Sequence, residues 1–255
     1  MKATPITLFL ELIKTLPIAI FKEFLGNKAR VMSHRENIDK IISGKSFVRW
    51  ADGETAIARG KDIGYQRAEI ELTVKLRAIS KLNSEEIILG IPWPIRVPLW
   101  SDKWNLRLIK IHMSSRIFLA RRVNRRKRSI DYGDTLIWYE FFKDLPKILG
   151  EISANKRTML IASEPKFLNA CPPETDFVQV LAKNAFSEYA SISKKIDNWI
   201  TSNKILGIES VIFLAAGPTS KAIALDFFRK TQCVDVGHGF NFNLANRQKY
   251  AWNND

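Results

Sequence analysis

The feature that most limits what this chain can become is a recurrence. Short apolar, β-branched runs alternate with stretches whose hydrophobic residues repeat at helical spacing. Residues 46–50, 86–91, 116–119, 158–162, 177–180, 211–216 and 233–236 read as strands. Between them, Leu72, Leu76 and Ile79 mark a helix over 68–82, and Tyr189, Ile192, Ile196 and Ile200 mark another. Residues 104–112, 136–149 and 218–230 also carry helical patterning, the second broken near Pro146. Ser33 and Glu36 stand at capping-box spacing ahead of Ile38, Ile41 and Ile42, and Gly44 is a natural stop. Residues 92–98 hold three prolines, which exclude regular helix. Alternation of this kind predicts an α/β fold, a mainly parallel sheet with helices on both faces.

At 255 residues, 46% hydrophobic and 26% charged, the chain has globular composition and enough length for one α/β domain. No repeat and no Gly/Ser or Pro linker divides it. Residues 33–255 read as a single catalytic domain and 1–32 as an apolar N-terminal segment. Residues 6–25 are rich in Leu, Ile and Phe but include Glu11, Lys14, Pro17, Lys22 and Glu23, too many breaks for a spanning helix. No small-residue cleavage site follows, which argues against a secretory signal. Lys14, Lys22, Lys28 and Arg30 suit a helix lying on an anionic membrane; the same segment suits docking on the core or on a second subunit. Cys171 and Cys233 have neither zinc nor disulfide-framework spacing and read as reduced thiols of a cytoplasmic protein.

Lys and Arg total 40 against 26 acidic residues, a formal +14. Such a surface attracts polyanions: nucleic acid, anionic lipid or phosphorylated substrates. Residues 121–128 hold six positive side chains in eight, a candidate contact for lipid headgroups or a lipid-linked diphosphate, or else a solvated loop. No zinc finger, RNA-recognition signature or helix-turn-helix accompanies them, which argues against nucleic acid. No P-loop, GxGxxG or GxSxG sequence is present.

Ligands of open parallel sheets bind beyond the carboxyl ends of strands, and three strand ends carry chemistry. At the first, Asp52 and Glu54 flank Gly53; in extended chain they point the same way and could share a hard cation, Mg2+ or Mn2+. Glu54 could equally cap the next turn. At the second, Gly217-Pro218-Thr219-Ser220 joins an apolar strand to a helix. Pro218 suits the first helical position, and the helix N-terminus with the Thr219 and Ser220 hydroxyls forms a candidate anion site. An ordinary capped turn would look the same. At the third, Asp235-Val236-Gly237-His238 follows the last strand, and His238 could contact phosphate, act as a base or be a plain surface residue.

These strand ends, in this order, resemble the GT-D glycosyltransferase family over roughly residues 35 to 240. The family's Arg–aromatic–Gly–Asp–Gly–Glu motif stands here as Arg49-Trp50-Ala51-Asp52-Gly53-Glu54. Its Gly-Pro-Thr turn is Gly217-Pro218-Thr219, and its Asp-x-Gly-His segment is Asp235-Val236-Gly237-His238. A Ser-Arg pair and an Asn-Ala-Phe segment look like Ser115-Arg116 and Asn184-Ala185-Phe186. Ala51 departs from the family's Gly, Gly239-Phe240-Asn241-Phe242 lacks the acids that often follow the His, and Ala162-Ser163-Glu164 only approaches a Val-Glu-Gly-like segment.

The resemblance implies a Rossmann-like sheet, a UDP-sugar donor, a glycan acceptor and a divalent ion, Mn2+ or Mg2+, held by Asp52 and Glu54. It implies donor-site roles for Arg49, Gly53, Arg116, Asn184, Gly217, Pro218, Thr219, Ser220 and His238. Glu164, Asp235 and His238 are candidates for the base. It also fits surface polysaccharide or glycoprotein glycan synthesis, with an acceptor carried on lipid diphosphate at the cytoplasmic membrane face. A nucleic-acid-binding protein and a metal-dependent nucleotide phosphoesterase are the competing readings. The N-terminal segment is a candidate dimer contact.

Overall fold

The computed structural model describes residues 30–82, 84–91, 118–119 and 131–241. Among them are eight strands: β1 Arg30–Val31, β2 Ser46–Arg49, β3 Ile87–Ile91, β4 Asp131–Asp134, β5 Arg157–Ala162, β6 Asp176–Gln179, β7 Ser210–Ala215 and β8 Gln232–Asp235. They lie in the order β1-β4-β3-β2-β8-β7-β5-β6, and each neighbouring pair is parallel. From β2 the chain builds outward through β3 and β4, then crosses to the other half and returns with β8 beside β2. The β2–β8 seam is thus where the winding reverses, the place such sheets offer to ligands.

Seven helices cover the sheet among the described residues: α1 His34–Ile42, α2 Asp52–Ala58, α3 Ile70–Ile79, α4 Ile137–Glu140, α5 Leu145–Ile152, α6 Tyr189–Ile205 and α7 Pro218–Phe227. Alternate strand residues feed two cores. Phe47, Ile88, Leu160, Phe213 and Val234 pack with Ile38 and Ile41 of α1, Ile137 and Trp138 of α4 and Leu149 of α5. Val48, Leu89, Ile161, Ile212 and Cys233 pack with Leu72 and Leu76 of α3, Ile196 of α6 and Ile223 of α7. Burial on both faces is why most strands read as unbroken apolar runs. The parallel α/β expectation holds.

Several local expectations change. Phe118 and Leu119, expected in a strand, are helical. The patterning over 136–149 divides into α4 and α5, with Pro146 in the first turn of α5. Asp52 opens α2, where extended chain was expected. Residues 30–32 join the sheet, the Met32 amide donating to the Tyr132 carbonyl at 2.8 Å. Segment 1–29, the 92–98 loop, the 104–112 helix and the basic residues 121–128 lie outside the described residues. Among the described residues no helix is long and apolar enough to cross a membrane.

Strand β4, Asp131-Tyr-Gly-Asp134, is hidden in the sequence because Asp and Gly are poor strand formers. Gly133 makes it possible: a Cβ there would lie 2.8 Å from Asn37 Oδ1, 2.8 Å from the Phe47 ring and 2.9 Å from Ile88. Gly133→Ala is therefore expected to destabilise by roughly 1–3 kcal/mol through overpacking. Urea unfolding would read this as a lower midpoint at unchanged slope.

Candidate functional site

Arg49, the last residue of β2, and Asp235, the last of β8, meet across the seam. The Arg49 backbone N–H donates to Asp235 Oδ2 at 3.1 Å. The chain then turns through Trp50 and Ala51 into α2, where Glu54 takes the third helical position. Its Oε2 accepts from the Ala51 N–H at 2.9 Å, half of a capping box. The Trp50 indole donates to Thr55 Oγ1 at 2.8 Å, fixing the turn from inside.

Into this corner α7 delivers a lysine. Lys221 Nζ lies 2.7 Å from Asp235 Oδ2 and 2.8 Å from Glu54 Oε1. It also donates to the Gly217 carbonyl at 3.2 Å. Its side chain is 3% exposed, Glu54's 6% and Asp235's 0%. Burial alone would lift the Glu54 carboxyl, but the Lys221 ammonium and the Arg49 guanidinium hold it below its ordinary value. Burial would likewise depress Lys221, and Asp235 and Glu54 reverse that, raising it above its ordinary value. Two carboxylates face an ammonium and a guanidinium, so the cluster is close to neutral.

Backbone geometry at this edge needs two glycines. Gly217 has φ +57° and Gly237 φ +50°, a region open chiefly to glycine. The Arg49 guanidinium lies where a Gly237 side chain would begin. The Tyr65 ring packs over Gly217, and its hydroxyl approaches Gly53. Tyr65 is held from behind: its carbonyl accepts from the Asn184 N–H at 2.8 Å, and Asn184 Oδ1 accepts from the Arg67 N–H at 3.0 Å. Asn184 itself adopts φ 55°. Partial burial, with Glu54 and Asp52, raises the Tyr65 pKa, so its hydroxyl stays a donor. The residue is 44% exposed at the mouth of the corner.

Most sequence-flagged residues thus gather at one edge, with altered geometry. Asp52 and Glu54 occupy the first turn of a helix, where residues two apart do not face each other; Asp52 is exposed and Glu54 buried. The two hydroxyls expected to bind an anion are fully buried. Ser220 Oγ accepts from the Ala216 N–H at 2.9 Å, and Thr219 Oγ1 has no partner among the described residues. Glu164 stands at the end of β5 and pairs with Lys166. Arg116 and the His238 side chain lie outside the described residues.

The two residues the reading missed are Lys221 and Tyr65. Lys221 left one signal, a cation that runs directly into the apolar Ala222, Ile223, Ala224 and Leu225 of a helix. Tyr65 left none.

A divalent ion does not fit this corner as built. Both Glu54 oxygens are engaged, and the Lys221 ammonium already sits between the two carboxylates. That ammonium already supplies the positive charge the two carboxylates need, and a dication entering between them would have to displace it. Among the described residues no three His, Cys, Asp or Glu side chains are grouped to hold a metal.

No protein-family profile matches the chain, and no curated protein does. Solved structures do. One, described as a new glycosyltransferase from Streptococcus sanguinis of domain of unknown function 1792, superposes with TM-score 0.65 at 19% identity, covering 87% of this chain and 85% of that one. Another, described as domain of unknown function 1792 with a distinct glycosyltransferase fold, gives TM-score 0.64 at 18% identity over 91% of this chain and 86% of that one. A selenomethionine-substituted structure of the same domain gives 0.62 at 19% identity, over 88% and 83%. This chain has that fold. The GT-D-type architecture expected from the strand-end motifs is the one found.

Proposed function

We propose that this chain is a glycosyltransferase that takes a sugar from a nucleotide diphosphate donor, UDP-linked on the family resemblance. The observation that carries the reading is the convergence of Arg49, Glu54, Lys221 and Asp235 at the carboxyl ends of β2 and β8. There they adjoin the N-terminus of α7, on a fold shared with structures described as glycosyltransferases. The N-terminal amides and dipole of α7 favour phosphate. Arg49 adds charge-assisted hydrogen bonds as negative charge develops on the leaving diphosphate. Glu54, Lys221 and Asp235 fix the two turns that carry these groups. Of the base candidates, Asp235 is sealed from solvent, whereas Glu164 is partly exposed and reachable by an acceptor hydroxyl. A glycan acceptor on lipid diphosphate, met at an anionic membrane through residues 1–32 and 121–128, is the setting this reading favours.

Isothermal titration of the purified chain with UDP, ADP and GDP tests the donor site, followed by transfer assays with a panel of UDP-sugars. Saturable UDP binding supports the proposal; a folded protein that ignores every nucleotide would sink it. Tyr65 offers a finer check, since its exposed ring can stack against the base or sugar. Tyr65→Ala is expected to weaken UDP binding about tenfold, within the range of one aromatic stacking contact, and to leave inorganic pyrophosphate binding unchanged. Equal losses for both ligands would place Tyr65 on the phosphates instead.

A further inference from the structure

Given the donor site proposed above, we infer that Lys221 is the resident cation of this site, and that the nucleotide diphosphate binds without a divalent ion on Glu54. Three acceptors take up the ammonium: Glu54 Oε1 at 2.8 Å and Asp235 Oδ2 at 2.7 Å, and the Gly217 carbonyl at 3.2 Å. An ammonium has three N–H donors, so it is saturated by protein and touches no ligand. Lys221 is therefore a positioning residue.

What it positions follows from its partners. Glu54 belongs to the turn after β2, Asp235 to the end of β8, and Gly217 to the turn before α7. One buried cation ties together the three turns that face the ligand. Its bond to the Gly217 carbonyl lies within the turn whose φ of +57° sets the approach to α7. Of the other oxygens, Glu54 Oε2 accepts from the Ala51 N–H; Asp235 Oδ2 also takes the Arg49 amide, and Asp235 Oδ1 is buried with no partner among the described residues.

Such a corner resists a metal. To ligate one, Glu54 would have to leave an ammonium that is 97% buried, stranding a charge in the interior. Asp52, the one acid of the motif open to solvent, is a single carboxylate and makes a weak site for a hard dication. The cation that neutralises the two inner carboxylates is supplied by the chain itself. Arg49 and the α7 N-terminus then face the phosphates.

Isothermal titration of the wild-type protein with UDP, in EDTA and in Mn2+, tests this. Expected is a UDP affinity that differs by less than about threefold between the two conditions, under 1 kcal/mol. Binding tightened by Mn2+ about tenfold or more, with that gain abolished in Glu54→Gln, would overturn the inference and leave the donor site standing. UDP binding in neither condition would remove the donor site, and titration with Mn2+ alone then decides: a saturable site lost in Glu54→Gln overturns the inference, and its absence upholds it. Lys221→Ala gives an independent arm. Vacating the ammonium leaves two facing carboxylates, so Mn2+ should raise the melting temperature of that variant and not of wild type. Indifference of a folded Lys221→Ala to Mn2+ counts against Lys221 as the cation of the site. Should the variant fail to fold, the wild-type titrations stand by themselves.

Discussion

Lys221→Met is expected to destabilise the protein by about 3–5 kcal/mol at neutral pH, because removing one partner of a buried ion pair strands the other. Here two carboxylates are stranded, Glu54 and Asp235, both almost wholly out of solvent. Methionine fills the volume of the lysine stem, so the loss is electrostatic and not a cavity effect. At this chain length it corresponds to a fall in melting temperature on the order of 10 °C.

The pH dependence separates this mechanism from a packing defect. In wild type, Glu54 titrates below its ordinary 4.5. Its contribution is therefore present above that value and lost as pH falls through the folded pKa. Lys221 titrates above its ordinary 10.5, so its contribution is present below that value and lost as pH rises through the folded pKa. The cluster thus stabilises across a plateau from about pH 5 to 10. Without Lys221 the sign at Glu54 reverses: burial dominates, its folded pKa rises, and protonation relieves the stranded charge. The gap between wild type and Lys221→Met should narrow from pH 7 to pH 4, and Glu54→Gln in the Lys221→Met background should recover part of the loss. Urea unfolding at both pH values measures it. A gap of the same size at both would show that Lys221 acts by packing.

How this cluster escaped a sequence reading is instructive. The strands were legible because a parallel sheet buried on both faces needs continuous apolar runs, and β5, β7 and β8 supply them. Ser33 was legible because capping is local, and its hydroxyl does accept from the Glu36 amide at 3.2 Å. β4 was not, since its Gly133 answers to Asn37 and Phe47, residues no local pattern connects to it. The Asp52-Gly53-Glu54 motif was found, but its geometry was misjudged. β2 ends at Arg49 and α2 begins at Asp52, so a spacing that aligns two carboxylates on a strand separates them on a helix. Lys221 joins Glu54 and Asp235 only because β2 and β8 become neighbours, a pairing between distant parts of the chain. The strand-end motifs pointed to residues that the fold brings together; the internal cation that joins them required the topology.

Gly237→Ala is expected to damage the proposed donor site as well as the fold. Gly237 holds φ +50°, where a β-carbon costs about 1–2 kcal/mol. That carbon would also lie 2.3 Å from Arg49 Nη2 and 2.9 Å from Cζ, so something must move. The backbone has little freedom: the Val236 N–H donates to the Leu214 carbonyl at 2.9 Å, and the Trp138 indole donates to the Asp235 carbonyl at 2.8 Å. The guanidinium is the soft partner and gives way. Displacing it removes charge-assisted hydrogen bonds worth roughly 1.5–3 kcal/mol, about a 10- to 100-fold loss in UDP affinity. Gly44→Ala supplies the control. Gly44 has φ +101° with open space around its Cβ position, and it precedes β2 at the edge away from the site. It should lose comparable backbone stability and bind UDP as wild type does. If Gly237→Ala folds and keeps its UDP affinity, Arg49 does not contact the donor, and the anion site belongs to the α7 N-terminus alone.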